Sequence, residues 1–140
     1  YMAESARLRC PFSSLGITAE GASTYVFSRL MGHQAASWFL LAAEWMSSEQ
    51  CKAANLALDV FPDESFMTEV IAKASHLAKM PLASLIETKA LMMSHHKASM
   101  HKSNELERIG LAKLSGGPAN REAIAAFIEK REPDFSDLEQ

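Results

Sequence analysis

A single carboxylate held in an apolar, glycine-framed turn is the feature of this sequence best suited to chemistry. Residues 11–31 read PFSSLGITAEGASTYVFSRLM, and within them Gly16 and Gly21 bracket Glu20. A carboxylate on a strand-to-helix turn among apolar neighbours is placed as a buried general base would be, able to take up and return one proton. Spacing alone leaves open a loop glutamate facing water, the commoner fate of a charged side chain. Ser23 and Thr24 follow, where either can cap the helix that begins there.

Other chemistry-bearing residues form weaker patterns. His95, His96 and His101 cluster at the join of two expected helices. His96 and His101 are five apart, off the three-or-four spacing that puts two ligands on one helix face. No Cys or carboxylate completes a ligand set, so these read as solvated histidines and no metal site is expected. Eight methionines, Met92 and Met93 among them, could line a plastic pocket, but gap-filling in a core is the commoner use. Cys10 and Cys51 lie in apolar surroundings and read as reduced, buried thiols in a reducing compartment. No phosphate-cradling glycine loop and no Ser-His-Asp order stands out.

The elements that must position Glu20 follow from periodicity. Ala6, Leu8 and Cys10 alternate with Ser5, Arg7 and Arg9 as a half-buried strand. Beyond the turn, Val26, Phe27, Leu30 and Met31 form a helical stripe ended by Gly32. Residues 34–43, with Trp38, Phe39, Leu40 and Leu41, are apolar nearly all round, so that helix belongs inside a protein or under a partner. Ser47 with Gln50 makes a capping box, Met46 is placed to staple onto Cys51, and Asn55 suits a left-handed helix stop. Leu56, Leu58 and Val60 then alternate as a short strand turned by Pro62-Asp63. Four helices follow: from 65 to 80 through Phe66, Val70, Ala74 and Leu77; from Pro81 through Leu82, Leu85, Ile86, Ala90 and Met93; over 96–114; and over 120–131, with Ile124, Phe127 and Ile128 on one face. Gly116, Gly117 and Pro118 break the last two apart.

The 140 residues carry a net charge of -3 and a 48% hydrophobic fraction, which fits one soluble domain or a piece of a larger one. Scattered lysines in a mildly acidic chain argue against a nucleic-acid partner. No apolar run reaches the roughly 20 residues of a membrane helix, and the opening YMAESARLRC is unlike a signal peptide. A chain that starts inside a strand without Met reads as a fragment.

PFSSLGITAEGAST resembles the segment around the catalytic glutamate of the crotonase (enoyl-CoA hydratase/isomerase) superfamily. It is most similar to the peroxisomal type of Δ3,Δ2-enoyl-CoA isomerase. That branch shares proline-phenylalanine, leucine-glycine, glutamate-glycine and a Ser/Thr-Tyr pair, matched here by Pro11-Phe12, Leu15-Gly16, Glu20-Gly21 and Thr24-Tyr25. Hydratases of the family usually carry a glutamate directly after the proline, and Phe12 stands there instead, so isomerase is favoured. The ending REAIAAFIEKREPDF resembles the family's Ala-Phe-x-Glu-Lys-Arg-x-Pro-x-Phe close, and the resemblance runs over residues 3–135. Asn55 departs from the glycine usual at its position.

The resemblance implies an α/β protein with the crotonase (ClpP-like) fold, here its C-terminal half. Residues 1–64 would be the core part with the base-bearing turn, and residues 65–140 the helical region that packs subunits into trimers or hexamers. It implies an enoyl-CoA thioester substrate, with CoA part of that substrate and no separate cofactor. Glu20 would be the base, Phe12 a pocket wall, and Phe127 with Lys130 would touch the adenine end of a CoA bound to a neighbouring subunit. The family's oxyanion hole and much of its CoA site would lie in a missing N-terminal half. Other crotonase reactions, hydration among them, are the first alternative. A noncatalytic acyl-CoA-binding or assembly module is the second, although a retained Glu20 argues against it. The ending FSDLEQ lacks a Ser-Lys-Leu address, so a cytoplasmic location is expected, with peroxisome or mitochondrial matrix as alternatives.

Overall fold

The computed structural model describes residues 1–138. The expectation drawn from the final residues therefore rests partly on positions outside the described ones. The chain divides into two compact units interleaved in sequence: Tyr1–Leu8 with Met46–Ser99, and Arg9–Trp45 with the chain from Met100 onward.

In the first unit, β1 (Met2–Ala3) pairs in parallel with β4 (Val60–Phe61), and β2 (Arg7–Leu8) pairs antiparallel with β3 (Met46–Ser47). Each strand is two residues long, so side-chain contacts must reinforce the pairing. Tyr1 and Phe61 set their rings 5.6 Å apart, and the Ser5 amide and hydroxyl both donate to Asp63. The helix α3 (Ser48–Ala53) opens with the expected capping box between Ser47 and Gln50. It stops through Asn55 at φ 60°, a left-handed position that asparagine tolerates better than most residues. Cys51 and Ser48 are buried, and Ser48 Oγ donates to the Glu4 carbonyl at 2.8 Å.

The expected strand through Leu56 and Leu58 does not form. Ala57 is buried while Leu58 is 78% exposed, the reverse of the alternation read from the sequence. The Leu56 and Ala57 amides both donate to the Cys51 carbonyl, so this stretch closes α3 and only Val60–Phe61 reaches a strand partner. The helices α4 (Phe66–Leu77) and α5 (Leu82–Ser94) form where periodicity places them, with Pro81 opening the second. Neither contains a buried residue.

In the second unit, α1 (Ser23–Met31) and α2 (His33–Leu41) pack together across Gly32, with Phe27 and Phe39 rings 5.4 Å apart. Gly32 has φ 79°, so it serves as the hinge that a side chain would strain. Helix α2 buries Ala36 and Phe39 and exposes Trp38 and Leu41. Arg9 ties the loop after it, donating to the Ala43 carbonyl and to Ser14 Oγ, with its guanidinium 5.9 Å from the Trp45 ring. Helix α6 (Lys97–Leu114), which belongs to this unit from Met100 onward, is followed by α7 (Pro118–Glu129), the two separated at Gly116–Gly117. Helix α7 buries Ala123 and Ala126, not the face of Ile124, Phe127 and Ile128, and Phe127 is 82% exposed. Lys130 closes it at φ 57°, with the Arg131 amide donating to the Ala126 carbonyl at 3.0 Å, the wrap-back of a Schellman-type stop.

Candidate active site

The residues around Glu20 are shaped by three consecutive devices. Ser13–Leu15 form a single 3-10 turn that begins at Phe12 and ends at Gly16, φ 63°. The Ile17 amide then donates back to the Phe12 carbonyl at 3.0 Å, which folds Phe12 and Ile17 onto one wall. Gly21 at φ 71° and Ala22 at φ 60° reverse the chain straight after Glu20 and launch α1.

The cap of α1 is not the one expected. Ala22, not Ser23 or Thr24, is the N-cap, and no side chain of the local sequence caps the helix. Ser23 is therefore already the first helical residue; its hydroxyl is buried without a hydrogen-bond partner among the described residues. The cap arrives from α6. Glu107, 5% exposed, accepts hydrogen bonds from the Ala22 amide at 2.6 Å, the Thr24 amide at 2.9 Å and the Thr24 hydroxyl at 2.6 Å. Ser103, one turn earlier on α6, supports the same carboxylate at 3.3 Å. A buried carboxylate needs such partners, and the N-terminal end of a helix supplies unsatisfied donors together with a favourable dipole.

Gly110 continues this face of α6. A Cβ there would come within 3.0 Å of Thr18 Cγ2, so the missing side chain lets the helix lie against the turn. Ser103, Glu107, Gly110 and Leu114 recur at four- and three-residue steps, one stripe of a helix. The residue that sequence reading missed is Glu107. Its signal was this stripe, which is polar and small where a packing face is normally apolar.

Next to the turn lies a cavity of about 380 Å³ whose walls include Phe12, Ile17, Thr18, Ala19, Thr24, Ser28, His33, Ser37, Leu40, Leu41 and Leu114. Phe12 is among the residues that line this cavity. Glu20 immediately follows Ala19 but is itself exposed, so the dry setting expected for it is not provided by the described residues. The structure brings Phe12 and the Glu20 turn together. Phe127 and Lys130 stand apart from them at the C-terminal end of α7, among none of the cavity's lining residues. Cys10 and Cys51 are free and buried, and burial pushes both thiols up, away from thiolate chemistry. Among the described residues no three His, Cys, Asp or Glu side chains gather to hold a metal ion, and no helix is long and apolar enough to cross a membrane.

A sequence profile of the family described as Enoyl-CoA hydratase/isomerase matches residues 1–139. Enoyl-CoA delta isomerase 2 of Rattus norvegicus is 34% identical over 131 residues, covering 94% of this chain and 34% of the relative. The 2,3-dehydroadipyl-CoA hydratase of Escherichia coli (strain K12) is 29% identical over 132 residues, covering 94% of this chain and 52% of the relative. Among solved structures, an enoyl-CoA hydratase/isomerase from Pseudoalteromonas atlantica superposes with a TM-score of 0.90 at 28% identity, over 96% of this chain and 54% of that one. The chain therefore spans about a third to a half of the length of these three proteins.

Proposed function

We propose, because this chain belongs to the enoyl-CoA hydratase/isomerase family and has the crotonase fold, that it carries the base of a Δ3,Δ2-enoyl-CoA isomerase. The observation that carries this reading is a cavity that holds no carboxylate among its lining residues, with Phe12 on its wall and Glu20 one residue beyond its Ala19 edge. Its similarity to the rat isomerase supports the same choice.

In this reading the Glu20 carboxylate takes a proton from C2 of a 3-enoyl thioester. The C–H electron pair moves toward the thioester carbonyl as a dienolate, and the Glu20 carboxyl returns the proton at C4. The double bond ends between C2 and C3, and no atom is gained or lost. One carboxylate suffices because one proton travels, whereas hydration needs a second group to hold water. Excluding water from Glu20 falls to the bound substrate. Donors to the dienolate oxygen, worth orders of magnitude in rate, would belong to the part of the family fold that this chain does not span.

Hydration is the second reading, favoured by the similarity to the dehydroadipyl-CoA hydratase. In the complete protein, Glu20→Gln should slow isomerisation of 3-hexenoyl-CoA by at least the roughly 10²–10⁴-fold typical of a general base. Binding of a saturated acyl-CoA should hardly change, and 2-enoyl-CoA should be hydrated much more slowly than the 3-enoyl ester is isomerised. Near-wild-type isomerisation by the variant would remove Glu20 from the mechanism. Equal rates for the two reactions would transfer the assignment to hydratase.

A further inference from the structure

The buried carboxylate of Glu107 has no part in the chemistry above, yet it is bonded to the backbone on the far side of Glu20. We propose that Glu107 is a positioning residue for Glu20: it occupies the donors at the N-terminal end of α1 and thereby keeps the Glu20 carboxylate free to meet substrate. This rests on the reading of Glu20 as the base.

A helix start presents N–H groups without intrahelical partners, and the nearest available carboxylate tends to take them. Here the Ala22 and Thr24 amides and the Thr24 hydroxyl are already bound by Glu107 at 2.6–2.9 Å. Glu20 lies only two residues before the N-cap, and its exposed side chain accepts none of the hydrogen bonds found among the described residues. Without Glu107, those orphan donors would compete for it. A carboxylate folded back onto backbone amides is both displaced and less basic, and a displacement of about 1 Å can cost about 10²-fold in rate. The same bonds fix Ala22 at φ 60°, a left-handed conformation that alanine does not hold without outside support. Ser103 and Gly110, on the same stripe of α6, keep Glu107 against the turn.

The test compares Glu107→Gln, Glu20→Gln and the double variant in the complete protein, with 3-hexenoyl-CoA as substrate. Glutamine keeps the shape of Glu107 but offers one acceptor oxygen and turns an amide N–H₂ toward a donor. The expected result is a loss of about tenfold to a hundredfold in kcat, with KM within about twofold. The double variant should be no slower than Glu20→Gln alone, because Glu107 acts through Glu20; a purely structural residue would add its own loss. Should Glu107→Gln fail to fold, Ser103→Ala removes a hydroxyl bonded to the Glu107 carboxylate, at a residue outside the cavity wall, and should lower kcat about fivefold. Full kcat in the folded variants, or additive losses in the double variant, would overturn the proposal while leaving an inactive Glu20→Gln intact. An active Glu20→Gln would bring down the base assignment and this inference together.

Discussion

Gly16 and Gly21 frame Glu20 and look equivalent in sequence, but replacing them should have very different consequences. Both have positive φ, 63° and 71°, so alanine at either position costs about 1–2 kcal/mol of backbone strain. A Cβ at Gly21 meets nothing within 4 Å, and strain is then its whole cost. A Cβ at Gly16 would lie 2.5 Å from the Ala119 carbonyl carbon, 2.6 Å from the Asn120 nitrogen and 2.8 Å from the Ala119 Cβ. These are about 1 Å inside van der Waals contact, and two of the three atoms are backbone. The start of α7 cannot retreat freely. Asn120 ties it down, donating to the Leu15 carbonyl at 2.8 Å and accepting from the Gly116 amide at 2.9 Å. Overpacking of about 1–3 kcal/mol and loss of the Asn120 bond, about 1 kcal/mol, therefore add to the strain. Gly16→Ala should cost about 3–6 kcal/mol, a large share of the stability of an ordinary domain. Urea unfolding of the two variants of the complete protein, side by side, measures the difference. If Gly16→Ala proved no more destabilising than Gly21→Ala, the close packing of α7 against this turn would be refuted.

Two further outcomes test the C-terminal end. Arg131 beside Glu122, together with the Asp134 amide, holds the Glu122 carboxyl down to about 2 from its usual 4.5. Because that value is depressed on folding, its stabilisation is present above pH 4.5 and lost as pH falls toward 2. The gap in urea midpoint between wild type and Glu122→Gln should close over that window; a gap unchanged from pH 7 to pH 2 would refute it. If Phe127 and Lys130 contact the CoA of a neighbouring subunit, Phe127→Ala and Lys130→Gly should each raise KM several-fold to about tenfold at constant kcat. Sedimentation should then find the complete protein as a trimer or hexamer, and a monomer with unchanged KM values would end that proposal. Glycine is the informative replacement for Lys130, since at φ 57° it removes the ammonium without adding backbone strain.

What could be read from the sequence was whatever short-range physics decides. The Ser47–Gln50 capping box, the left-handed Asn55, Pro81 at a helix start and the Gly116–Gly117 break each depend on residues within a few positions of one another. Helical period located α4 to α7 for the same reason. The strands were harder, because two-residue pairs such as Arg7–Leu8 with Met46–Ser47 are made by partners nearly forty residues apart. Leu58 shows how alternation misleads when the chain is closing a helix. The cap of α1 could not be read locally. A Ser or Thr caps only from the N-cap position, and the positive φ of Ala22 moved that position one residue earlier than the sequence implied. The donors so left open were met by Glu107, 85 residues downstream of Ala22, on a helix where a glutamate ordinarily reads as solvated. Periodicity reports which face of a helix is apolar, but not what covers it. In α7 the small residues Ala123 and Ala126 are buried by this chain, while Ile124, Phe127 and Ile128 stay open; in α4 and α5 no residue is buried at all. The same limit applies to Glu20. Its apolar setting in sequence is present in the structure as a cavity wall ending at Ala19, and the carboxylate itself stands one residue beyond it.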